Sequence, residues 1–157
     1  METRSISLSQ VEPSHTEFLL KLFTECRPDL DSIMNVSREQ KESIIYQQFA
    51  LEHHQLIQMY PEAELNIVMI DKEPVGRVYI NYGVAKDRIL QIGLLKKYRG
   101  FGIGRKIVAM VIDKAFNKRK TVSLQVAWFN QGAYGFYEKL GFKVIENNGV
   151  FYEMENM

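Results

Sequence analysis

The apolar residues change period several times along the chain, and each change marks an element. Ile6 and Leu8 alternate with serines, the period-two pattern of a strand. Pro13-Ser14-His15 reads as a helix start. Phe18, Leu19, Leu22 and Phe23 then recur at helical spacing. Arg27-Pro28-Asp29 ends that run, because proline disfavours helical backbone in the residue before it. Ser37, with Gln40 three residues later, forms a capping box for a long helix that Pro61 stops after Tyr60. Its expected inner face is Ile45, Phe49, Leu56 or Ile57, and Tyr60, and His53 falls on the same stripe.

Beyond Pro61 the period shortens. Leu65 to Ile70 and Val75 to Tyr82 read as strands around the polar turn Asp71-Lys72-Glu73, which predicts a hairpin. Arg88 to Leu95 is a third, more apolar strand. Ile103, Ile107, Val108, Val111, Ile112, Ala115 and Phe116 mark a helix that ends among Asn117 and the cations Lys118, Arg119 and Lys120. Val122 to Ala127 is a strand. Asn130 to Leu140 is a short helix, with Gly141 just past its end. Phe142 to Ile145 and Val150 to Met154 flank Asn147-Asn148-Gly149, a hairpin turn signal. The predicted order is β-α-α-β-β-β-α-β-α-β-β. That is one α/β sheet with helices against it.

Composition narrows the picture. At 157 residues the chain is expected to form a single domain over 1–157. A net charge of +1 gives no argument for nucleic acid or an anionic membrane as partner. The single cysteine, Cys26, excludes an internal disulfide and fits a reducing compartment. Met1 to Gln10 is polar and lacks the apolar stretch of a signal peptide. No window approaches the ~20 apolar residues of a membrane span. The expectation is a soluble cytoplasmic protein.

The candidate chemistry sits between the third strand of the middle group and the helix that follows. Arg99-Gly100-Phe101-Gly102-Ile103-Gly104 places three glycines at spacing two. Glycine allows positive φ and close approach of the backbone to a ligand. A helix beginning there adds unpaired N–H groups and a partial positive charge, the ingredients of a phosphate site. A nucleoside triphosphate loop would need Lys followed by Ser or Thr after the last glycine, but Arg105-Lys106-Ile107 follows here. A dinucleotide loop would need a sixth-place glycine, where Arg105 stands. No Ser, Thr, Asp or Asn lies between Arg99 and Arg105 to cap the helix. Arg99, Arg105 and Lys106 instead surround its start, which is unfavourable unless an anion binds there.

These residues resemble the GNAT superfamily of N-acetyltransferases. Arg99 to Gly104 matches the (Gln/Arg)-x-x-Gly-x-Gly/Ala pyrophosphate loop of that family. Ile92-Gly93-Leu94-Leu95 with Tyr98 resembles its strand entry. Asn130, Ala133 and Tyr137 resemble its Asn-x-x-Ala-x-x-x-Tyr segment, and Phe136 to Phe142 its helix ending. The resemblance runs in order from Leu65 to Met154. It implies a mixed, mostly antiparallel sheet of about seven strands flanked by about four helices, with acetyl-CoA as cosubstrate and no metal. By the same resemblance, groups near Ile92, Gly93 and Leu94 pair with the pantetheine arm. The N–H groups from Arg99 through Gly100, Phe101, Gly102, Ile103 and Gly104, beside Arg105, hold the pyrophosphate. Asn130 contacts the cofactor arm, and Tyr137 protonates the departing thiolate. Homodimers also occur among such proteins.

Acetyl transfer to an amine passes through an oxyanion that needs a positioned donor, for which the Leu94 N–H is the candidate. A tyrosine can supply the proton or hydrogen bond that the leaving thiolate requires. The general base is less legible. Gln91 stands where an acid could have faced the substrate, and His53 is the alternative, since histidine titrates near neutrality. His54 is expected to point outward; Glu64 and Asp87 are further candidates. Trp128 and Phe129 read as packing, Lys118-Arg119-Lys120 as a solvated helix end, and Cys26 as an ordinary small residue. The acceptor is a primary amine on a small molecule or peptide. The rival reading is a CoA-binding module without transfer.

Overall fold

The computed structural model describes residues 5–156. Residues 1–4 of the polar N-terminus, and residue 157, lie outside it. Seven strands are hydrogen-bonded in the order β1-β2-β3-β4-β5-β7-β6. They are β1 (Ile6–Gln10), β2 (Glu64–Ile70), β3 (Glu73–Tyr82), β4 (Lys86–Leu94), β5 (Thr121–Ala127), β6 (Phe142–Asn147) and β7 (Phe151–Asn156). The α-helices among the described residues are α1 (Thr16–Glu25), α2 (Pro28–Asp31), α3 (Arg38–Met59), α4 (Ile103–Asn117) and α5 (Gln131–Lys139). β1 and β2 run antiparallel, β4 and β5 parallel, and β7 antiparallel to both β5 and β6. No helix among the described residues is long and apolar enough to cross a membrane. The chain divides into two compact units: residues 1–79 with 91–101, and residues 80–90 with 102–157. β3 and β4 each contribute residues to both.

In the first unit the capping box predicted for α3 is present: Ser37 Oγ accepts from the Gln40 N–H, and Gln40 Oε1 accepts from the Ser37 N–H. Ile45 and Leu56 are its buried residues. Phe49 is partly buried and meets Phe23 edge-on at 5.4 Å, whereas Ile57 and Tyr60 keep partial exposure. The expected break holds, since α1 ends at Glu25 and Arg27 is non-helical, but Pro28–Asp31 then form a further helical turn, α2. Proline at its first positions costs no hydrogen bond there. Leu30 is buried with Phe23 and Ile45, and that contact holds the turn. The β2–β3 turn is also tighter than read. Asp71 and Lys72 alone form it, with φ of 49° and 72°, the left-handed pair that matches strand twist, and Glu73 opens β3.

In the second unit α4 buries Ile103, Ile107, Val108, Val111 and Ala115, but Phe116, expected on that stripe, is 77% exposed. Ion pairs stitch the strands. Lys86 Nζ lies 2.7 Å from Glu155, and Arg88 grips both carboxylate oxygens of Glu153 at 2.6 and 3.0 Å. The Lys86 ammonium, with help from the Thr121 hydroxyl, holds the Glu155 carboxyl below its usual range. Lys120 does not belong to a solvated helix end. Its ammonium lies 3.1 Å from Oδ1 of Asp87, which is fully buried. Replacing Lys120 by Met should therefore lower stability by about 3 kcal/mol, near the low end for breaking a buried pair because Lys120 keeps some exposure. A urea unfolding titration checks it; an unchanged midpoint would contradict the assignment.

Candidate functional site

The residues singled out from the sequence fall in both units, and each set is described within its own. In the first unit they lie at the end of β4 and on the turn beyond it. Leu94 is buried, and Ile92, Gly93 and Gln91 are half-buried. The Leu94 carbonyl accepts a 3.0 Å hydrogen bond from Nε of Arg99. The next N–H, of Leu95, donates to Val75 O at 2.9 Å. Both faces of the Leu94–Leu95 peptide are therefore engaged.

Arg99 is held by the main chain. Besides Leu94 O, its guanidinium donates to Glu25 O at 3.1 Å and lies 3.5 Å from Cys26 Sγ. Its backbone N–H donates to Lys96 O at 3.1 Å. Glu25 Oε1 in turn accepts the Lys96 N–H at 2.7 Å, and the Lys96 ammonium pairs with Asp31. None of Glu25, Asp31 or Lys96 stood out in the sequence, because contacts between positions 65 or more apart leave no local pattern.

The loop then reaches the second unit at Gly102. Gly100 and Gly102 have φ of 83° and 81°, left-handed backbone that suits glycine. A Cβ built at either would meet no heavy atom within 4 Å. Gly102 is the N-cap of α4 and offers no side-chain cap; no acid lies in the first turn. The first ordinary helical bond runs from the Lys106 N–H to Gly102 O at 3.1 Å. Helix geometry leaves the N–H groups of Ile103, Gly104 and Arg105 pointing forward without intrahelical acceptors. Arg105 and Lys106 are exposed beside them. Open space, outward N–H groups and positive charge fit a pyrophosphate lying against the backbone.

Also in the second unit, Asn130 is both exposed and the N-cap of α5, its Oδ1 accepting from the Ala133 N–H at 3.0 Å. Tyr137, on the same helix, is 8% exposed. Its ring meets Phe136 and Phe142 edge-on at 5.1 and 5.5 Å. Burial pushes its phenol up to about 12. Trp128 and Phe129 are not packed inside: they are exposed and touch each other edge-on at 6.0 Å.

The candidate bases separate. His53, His54 and Glu64 line one cavity of about 1020 Å³ in the first unit, with Tyr46, Phe49 and Asn66. His53 stacks on Phe49 at 6.2 Å. Gln91 is not among the lining residues. Asp87 is buried against Lys120 in the second unit. The cavity was not legible from any single stripe, because it gathers β1, α1, α3 and the start of β2. Glu52, one residue before His53, carries no signal in the sequence pattern. It pairs at 3.0 Å with the buried Arg77, whose guanidinium covers the Tyr79 ring at 4.9 Å.

The N-alpha-acetyltransferase of Sulfurisphaera tokodaii is 29% identical over 132 residues, covering 75% of this chain and 77% of that relative. Among solved structures, the PaiA N-acetyltransferase of Thermoplasma acidophilum, in complex with coenzyme A, superposes with a TM-score of 0.70 at 22% identity, over 97% of this chain and 98% of that one. Arabidopsis thaliana Naa50, in complex with the bisubstrate analogue CoA-Ac-MVNAL, gives 0.62 at 20% identity, over 98% and 99%. At these identities the structural likenesses speak for the fold. The model of the acetyltransferase (GNAT) family matches residues 17–142, more than half of the sequence, and this chain belongs to that family.

Proposed function

We propose that the chain is an N-acetyltransferase that moves the acetyl group of acetyl-CoA directly to a primary amine, and that it works as one domain. The observation that carries the reading is the glycine-led, uncapped and basic start of α4. Acetyl-CoA supplies the activated thioester. The chain's own groups do the rest. The N–H groups at the start of α4, with Arg105, hold the pyrophosphate. Ile92 and Gly93 offer backbone partners to the pantetheine arm, and Asn130 offers its side-chain amide. The Leu94 N–H donates toward the reacting carbonyl oxygen as charge grows there. Tyr137 keeps its proton at Oη and donates it, as a hydrogen bond, to the departing sulfur. We assign His53 and Gln91 to the acceptor amine, whose proton passes to His53 or to water as the amine attacks.

The relative named an N-alpha-acetyltransferase supports including peptide α-amines among the acceptors. Calorimetric titration with acetyl-CoA, followed by a turnover screen against peptides, lysine, polyamines and small amines, tests the proposal. Saturable binding and turnover of at least one amine class are expected. Absence of binding at tens of micromolar protein would remove the reading. Binding without turnover across the panel would favour a CoA-binding module.

A further inference from the structure

We propose that Arg99 is a positioning residue for acetyl transfer: its guanidinium fixes the Leu94 peptide against the C-terminal end of α1 and does not bind the cofactor's phosphates. The inference rests on the reading above, in which the Leu94 N–H serves the reacting carbonyl. Three observations carry it. The guanidinium donates through Nε and Nη2 to two main-chain oxygens, Leu94 O at 3.0 Å and Glu25 O at 3.1 Å, which fixes its plane against the main chain. The Leu94–Leu95 peptide is held from its other side by Val75 O, 2.9 Å from the Leu95 N–H. The α1 end is itself tied to the same turn through Lys96 N–H to Glu25 Oε1, and α2 is tied there through the Lys96–Asp31 ion pair.

A planar guanidinium can span two carbonyls at fixed directions, which an ammonium cannot do. Holding the Leu94 carbonyl restricts ψ at Leu94, and with it the aim of the Leu94 N–H, which belongs to the preceding peptide. A donor must meet the developing charge without reorganising, and misplacement by 1 Å can cost ~100-fold in rate. Arg105 and Lys106, exposed on α4, remain as the cations for phosphate.

The test uses two acyl donors, acetyl-CoA and S-acetylpantetheine, which has no phosphates. For R99Q, kcat should fall about 10- to 100-fold, while the dissociation constant for acetyl-CoA changes by less than about threefold. The loss in kcat/KM should be equal for the two donors. R99K should recover part of the rate, because one amine can satisfy one carbonyl. If R99Q unfolds, as judged by its melting curve, R99K carries the same comparison. A loss confined to acetyl-CoA binding, and absent with S-acetylpantetheine, would mean a phosphate contact and overturn the inference. Wild-type turnover matched by R99Q would overturn it alone. A wild-type protein that neither binds nor uses either donor would overturn the acetyl-transfer reading as well.

Discussion

Replacing Tyr137 by Phe lowers kcat by about 10²- to 10³-fold and leaves acetyl-CoA binding nearly intact, the expected loss for one hydrogen-bond donor to developing charge. The variant is a clean one. The ring is buried between Phe136 and Phe142, and phenylalanine keeps those edge contacts. What is lost is one hydroxyl. Burial pushes its phenol up to about 12 and keeps the proton on Tyr137, so the hydroxyl is available as a donor to the departing sulfur. The sign of the shift matters for the pH profile. Burial favours the neutral form, so the donor persists as pH rises, and kcat should show no alkaline fall from this residue below about pH 11. Equal losses in binding and turnover, or none in either, would contradict the assignment.

The second large effect is expected at Gly102. Gly102→Val should weaken acetyl-CoA binding by ~100-fold or more, because branched carbons would occupy the space against the backbone that a phosphate needs. In the free protein a Cβ at this position meets nothing within 4 Å. Stability should fall only by the backbone strain of a left-handed residue, about 1–2 kcal/mol. Gly102→Asn separates the two causes, since asparagine tolerates this backbone but still brings a side chain. Calorimetry and thermal unfolding on both variants give the answer. Normal binding by either would show that no phosphate lies against Gly102.

The element order was legible because each change of period coincided with a hard stop, such as Pro61 or Gly141. The loop at Gly102 was legible for a different reason: a missing cap is a local absence that the sequence displays directly. Other features depended on distant partners. α2 exists because Leu30 finds Phe23 and Ile45, and nothing near Pro28 announces them. Lys120 looked like one more cation at a helix end until Asp87, on another strand, took it. Phe116 fitted the α4 stripe by spacing, yet it stands one residue beyond the buried Ala115 and faces out. Arg99 is the most instructive case. Its charge beside a phosphate loop suggested a direct contact, while its geometry assigns it to carbonyls.

Cys26 carries a practical consequence for anyone assaying this chain. It is the single cysteine, it is exposed, and its sulfur lies beside the Arg99 guanidinium and 4.0 Å from Leu94 O. Assays that follow released CoA with a disulfide or maleimide reagent would also alkylate or oxidise this thiol. The adduct would sit on the strand end whose peptide must stay in place, so the detection chemistry would inhibit the enzyme it reports on. Quenched sampling or a Cys26→Ser background avoids the artefact. The same thiol, labelled on purpose with an environment-sensitive dye, offers a built-in reporter of that strand end.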